Sequence, residues 1–195
     1  MKKKSFNKVL FLGNFLIILS FVGFGVLFYP IVQLYLFPPS IPVEASMTDE
    51  YTLFVPKIGA YSPIIADVDP WSEEEYMRAL KKGVAQAEGT ATPEKKGSTY
   101  IFAHSSGNPF EVNRYNTIFY RLSELKPNDK VYIRYKGKEY KYIVTETKEV
   151  WPSEKNYLED AIGSKKDQLI LQTCTPIGTS IKRLLVFAIP LRVKN

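Results

Sequence analysis

Residues Val9 to Tyr29 form 21 consecutive positions with no charged side chain and one strongly polar one, Asn14. Coiled as an α-helix such a run rises about 31 Å, enough to cross a hydrocarbon core of about 30 Å. Nothing else in the chain narrows its options so sharply, because in lipid every backbone polar group must be satisfied within the segment itself. A cleaved signal peptide would carry an apolar core of only about 7–15 residues before a small-residue cleavage site. Here the apolar character continues through Ile31-Val32 and Leu34-Tyr35-Leu36-Phe37, with no Ala-x-Ala close behind. The reading is an uncleaved signal anchor crossing once. Lys2, Lys3, Lys4 and Lys8 precede the run and no basic residue follows until Lys57, so the N-terminus is expected inside and the remainder outside.

This anchor also explains the net charge. Of the 26 basic residues, four belong to the N-terminal cluster, and the 22 that remain face 20 acidic residues, none of which occurs before Glu44. A formal charge of +6 is therefore a property of the tail, and the near-neutral remainder gives no support to nucleic-acid binding. The expected organisation is a cytoplasmic tail over 1–8, an anchor over 9–29, a juxtamembrane linker over 30–50 stiffened by Pro38, Pro39 and Pro42, and an exported domain over 51–195. That domain contains a single cysteine, Cys174, which cannot form an internal disulfide. In an oxidising compartment a lone thiol is a liability unless it is used.

Beyond Tyr51 the pattern is mostly β. Short runs rich in β-branched and aromatic residues occur at Thr52–Val55, Ser62–Ala66, Val84–Ala87, Ser98–His104, Lys130–Tyr135, Glu139–Val150, and in two runs within 168–190. Two short helices interrupt them. The first, Ser72–Lys82, is predicted from a Ser72/Glu75 capping box, a Trp71/Tyr76 staple, acids Glu73-Glu74-Glu75 in the first turn and Gly83 as the stop. The second, Glu154–Ile162, takes Ser153 as its N-cap, and its stripe of Tyr157, Leu158, Ala161 and Ile162 reads as core packing. Ser105–Arg114 reads as an exposed loop and Asn116–Leu125 as containing a helical turn. Strands at this spacing, with few helices, predict a sandwich or a barrel.

The segment QLILQTCTPIGTSIKRLLVFAIP, residues 168–190, holds the chemistry-bearing residues. Alternation puts Ile170, Gln172 and Cys174 on one face of its first strand and Leu169, Leu171 and Thr173 on the other. Pro176 ends that strand, and Arg183 opens the next one nine residues after Cys174. Antiparallel pairing would return the guanidinium to the sulfur. The only histidine, His104, likewise sits at the end of an apolar strand. Acyl transfer needs a nucleophile, a proton carrier and positive charge where an oxyanion develops, and Cys174, His104 and Arg183 are those three types.

Leu171-Gln172-Thr173-Cys174-Thr175-Pro176, followed by Gly178 and Arg183-Leu184-Leu185, resembles the signature of the sortases, membrane-anchored cysteine transpeptidases. The resemblance extends to Val55-Pro56-Lys57-Ile58, Lys82-Gly83-Val84, Gly89-Thr90 and Ala103-His104, about 145 residues from Tyr51 onward together with the anchor. It implies a closed β-barrel of about eight strands. It also implies that Cys174 attacks the threonine carbonyl of an LPxTG-like sorting signal on secreted surface proteins, forming a thioacyl-enzyme. His104 would carry protons between leaving and incoming amines, Arg183 would hold the substrate backbone or the oxyanion, and Thr173 would shape the pocket beside the nucleophile. The acceptor would be an amine of a peptidoglycan precursor or a pilin lysine. No cofactor or metal is implied, although calcium activation occurs in the family and no acidic cluster here marks a site for it. Asp69-Pro70-Trp71 is similar to the lid motif of class C sortases, but it follows the second strand instead of preceding the first, and no second membrane span closes the chain, so the resemblance points away from class C. The competing readings are an exported thiol protease that releases its acyl-enzyme to water, and a non-catalytic envelope binding module.

Overall fold

The computed structural model of the protein describes residues 8–36, 51–105, 118–177 and 179–191. The expected basic tail, the linker from 37 onward and most of the expected Ser105–Arg114 loop lie outside the described residues. The chain divides into two compact units, 1–39 and 40–195.

The described residues of the first unit form one helix, α1 (Lys8–Leu36). Its Lys8–Val26 window has a mean hydropathy of 2.4, and its described apolar side chains are exposed, so it is long and apolar enough to cross a membrane. The expected anchor ended at Tyr29, but the helix continues through Pro30 to Leu36, seven further residues.

The second unit is a closed barrel. Its strands are β1 (Tyr51–Val55), β2 (Ala60–Val68), β3 (Val84–Ala87), β4 (Ser98–Phe102), β5 (Lys130–Tyr135), β6 (Lys138–Val150), β7 (Gln168–Thr175) and β8 (Lys182–Pro190). They close in the order β1-β2-β3-β4-β7-β8-β6-β5, so the barrel leaves no unpaired edge. All neighbours are antiparallel except β2–β3 and β4–β7. A parallel pair needs a crossover connection. The crossover between β2 and β3 contains helix α2 (Glu73–Leu80). The one between β4 and β7 is longer and includes the β5–β6 hairpin and the short helix α3 (Asn156–Glu159). The hairpin turns at Lys136-Gly137, both at positive φ, the conformation that makes a glycine useful there.

Alternation fills the interior. Ile101, Leu171 and Val186 are register partners across β4, β7 and β8, and all three are fully buried. Leu53 and Ile133 do the same across β1 and β5. The sequence pattern left sandwich and barrel both open, and the pairing of β1 with β5 closes the sheet into a barrel.

Several local expectations are corrected. Ser72 occupies the N-cap of α2 without a side-chain cap bond: the Glu75 N–H donates to the Ser72 carbonyl at 3.1 Å, and Glu75 Oε1 accepts the Asp69 N–H at 3.1 Å instead of the Ser72 N–H. Trp71 and Tyr76 each take a further partner. The indole is half-exposed with Lys155 Nζ 4.9 Å from its centre, while Tyr76 packs edge-on against Phe102. Gly83 follows α2 as expected, but its requirement is steric: a Cβ there would run into the carbonyl oxygen of Pro63 on β2. The second helix is shorter than expected. Glu154 Oε1 accepts the Trp151 N–H at 2.8 Å, which holds 151–154 in a turn, and Lys155 takes the N-cap position instead of Ser153.

Candidate active site

The outer faces of three neighbouring strands form the floor of a cavity of about 410 Å³. Period-2 alternation supplies Tyr100 and Phe102 from β4, Gln172 and Cys174 from β7, and Arg183 and Leu185 from β8. Register makes neighbours of them: Phe102 pairs with Gln172, Gln172 with Leu185, and Cys174 with Arg183. One wall comes from α2 and the turn before it, through Trp71, Glu73 and Tyr76. A second wall comes from the segment after β6, through Trp151, Lys155, Tyr157 and Leu158. The Lys155 ammonium over the Trp71 ring links the two walls at the mouth.

Cys174 is a free, half-buried thiol near the end of β7, which stops at Pro176, a residue that cannot donate to a ladder. Arg183 opens the partner strand directly opposite. Its Nη1 donates to the carbonyl oxygens of Ser180 (3.2 Å) and Lys182 (3.4 Å). Among the described residues no carboxylate pairs with it, so its charge is available to the cavity.

His104 lies two residues beyond β4. Counting two positions on from the Phe102–Gln172 pair brings it level with Cys174. Two bonds to β7 hold the connection: the Ala103 N–H donates to the Gln172 carbonyl at 3.1 Å, and Thr173 Oγ1 donates to the Ala103 carbonyl at 3.0 Å. Burial pushes the imidazole pKa below its ordinary value, favouring the neutral ring. The structure thus brings His104, Cys174 and Arg183 to one cavity.

Thr173 is the exception. Expected to shape the pocket beside Cys174, it is 3% exposed, points to the opposite face and is not part of the cavity lining. Its hydroxyl serves the backbone that carries His104. The alternation visible in the sequence already separated it from Cys174.

Other lining roles escaped the sequence reading. Tyr157 and Leu158 pack against the core as the stripe predicted, and they also form part of the wall. Gln172 Oε1 accepts the Tyr100 hydroxyl at 2.6 Å in the cavity floor, and burial raises that phenol's pKa above the ordinary range. Tyr76 is raised too, first by burial, then by Glu73 and Cys174, with Arg183 acting in the opposite sense. Among the described residues no group of three or more His, Cys, Asp or Glu is gathered as a metal ion would need.

A family model for the sortase domain matches residues 53–191. Sortase D of Bacillus subtilis (strain 168) is 26% identical over 138 residues, covering 69% of this chain and 60% of its own. The chain spans less than two thirds of the curated relatives it matches. Among solved structures, sortase A from Corynebacterium diphtheriae superposes with a TM-score of 0.60 at 29% identity, over 75% of this chain and 62% of that one. A pilus-related sortase C of Group B Streptococcus gives 0.59 at 30% identity, over 80% and 76%. The similar structures thus fall in more than one sortase class.

Proposed function

The chain belongs to the sortase family, and from that premise we propose that it is a membrane-anchored cysteine transpeptidase acting on an LPxTG-like sorting signal of exported proteins. Cys174 Sγ attacks the carbonyl carbon of the scissile bond and its proton passes to His104. The tetrahedral oxyanion is stabilised by the Arg183 guanidinium, a fixed charge in a partly enclosed site. The intermediate collapses, the C–N bond breaks and His104 returns the proton to the leaving amine. An amine of the cell wall or of a pilin subunit then attacks the thioester and releases Cys174. A neutral imidazole suits the proton-accepting half of each step, and burial of His104 favours that form. With α1 as a single-pass anchor, the N-terminus inside and the barrel outside, the site meets exported substrates as they emerge.

The observation that carries this reading is the cross-strand pairing of Cys174 with Arg183 inside a cavity that His104 also lines. The experiment is to mix the protein with an LPxTG-type peptide and triglycine and to follow products by chromatography. Ligated peptide supports the transpeptidase. Cleavage that added triglycine never diverts supports a protease, and failure of Cys174 to label with a thiol-reactive probe in the folded protein supports a binding module.

A further inference from the structure

If the protein transfers acyl groups to amines, the second substrate meets an electrostatic obstacle. A primary amine is largely an ammonium ion at neutral pH. The cavity it must enter is lined by two other cations, Arg183 and Lys155. Two carboxylates share the lining, Glu73 and Glu154, and they are differently placed. Glu154 Oε1 already accepts the Trp151 N–H and is folded onto its own turn. Glu73 is exposed on the first turn of α2, and among the described residues its carboxylate has no hydrogen-bond or ion-pair partner. Its neighbours in the acidic run point elsewhere: Glu75 holds the Asp69 N–H, and Glu74 is not part of the lining.

Glu73 also has a connection to the reacting end. It lies three residues before Tyr76, so the two share one helix face, and both line the cavity. The Tyr76 phenol feels Glu73, Cys174 and Arg183 together. Glu73 and Cys174 thus both act on the Tyr76 phenol, and Glu73 enters the cavity lining from the α2 side.

Resting on the transpeptidase reading, we propose that Glu73 is the residue that selects the acceptor, receiving a cationic primary amine at the α2 side of the cavity mouth. The ammonium loses one proton to solvent as it leaves Glu73. The amine nitrogen attacks the thioester carbon and the C–S bond breaks. The second nitrogen proton passes through His104 to the Cys174 sulfur, which leaves an amide and a free thiol.

The test uses the full chain in detergent, acylated with an LPxTG-type peptide and resolved at pH 7 in parallel by triglycine amide, which is mostly a cation, and by hydroxylamine, which is mostly neutral there. The readout is the ratio of triglycine-amide product to hydroxamate. For an exposed carboxylate acting on a cation, Glu73→Gln should lower this ratio about threefold to fivefold. Glu73→Lys should lower it further, Glu73→Asp should restore it, and added salt should shrink the difference. A merely structural role for Glu73 would change both nucleophiles alike. A ratio unchanged in both Glu73→Gln and Glu73→Lys overturns the inference, while hydroxamate formed in the same tubes leaves the transpeptidase reading standing. Absence of both products from the unmodified chain overturns that reading and this inference with it.

Discussion

Replacing Thr173 by valine separates a residue that builds the substrate pocket from one that positions His104. The hydroxyl donates to the Ala103 carbonyl at 3.0 Å, and both residues are buried, at 3% and 6% exposure. Valine keeps the volume, so the cost comes from the hydroxyl and not from a cavity. Leaving a buried acceptor without its donor costs about 1–3 kcal/mol. At about 2–4 °C per kcal/mol for a domain of this size, the thermal midpoint should fall by roughly 2–12 °C. Ala103 directly precedes His104, so freeing its carbonyl loosens the imidazole as well. A misplacement of about 1 Å in a catalytic group costs up to ~100-fold in rate. The assay pairs calorimetry with steady-state cleavage of an LPxTG-type peptide. The expected result is a lowered midpoint and a lowered kcat with KM nearly unchanged. A variant with an unaltered midpoint and a raised KM would refute this reasoning and return Thr173 to the pocket wall.

Two further outcomes follow from the geometry. The His104 pKa is lower in the folded state than in the unfolded chain, where it is about 6.5. As pH falls through that value the unfolded state binds the proton first, so folding stability drops, and the loss levels off below the folded pKa. Thermal midpoints measured against pH should decline less steeply in His104→Gln than in the unmodified chain over this window, and identical slopes would contradict the assignment. Gly83→Ala should destabilise the barrel by about 1–3 kcal/mol, because the new methyl meets the backbone of β2 and not a yielding side chain. Urea unfolding checks this, and an unchanged midpoint would mean that β2 can move away.

The features that could be read in the sequence were those whose signal is local and periodic. The uncharged run of α1, the strand runs and the alternation around Cys174 each follow from a few neighbouring residues. The partnership of Cys174 with Arg183 was also accessible, since a nine-residue separation across a turn leaves antiparallel pairing as the simplest return. Features decided by competition between distant groups were not. The Ser72/Glu75 box fits the helix-start pattern, yet the Asp69 N–H takes the carboxylate. Ser153 looks like a cap until Glu154 turns back to Trp151. The Tyr157 and Leu158 stripe packs on the core as its pattern indicates, but that pattern does not reveal that the same side chains also wall a cavity. Closure into a barrel likewise depends on β1 meeting β5, strands about 80 residues apart in the chain, which no local pattern encodes.

The most direct measurement of the central claim is mass-spectrometric capture of a covalent intermediate. The full chain in detergent is mixed with an LPxTG-type peptide, quenched in acid and digested. The account predicts an adduct with the mass of the acyl fragment on the peptide containing Cys174, absent from Cys174→Ala, whose fold should persist because the side chain is only half-buried at a strand end. Cleavage of the peptide with no adduct on Cys174, or an adduct on another residue that survives in Cys174→Ala, would contradict it.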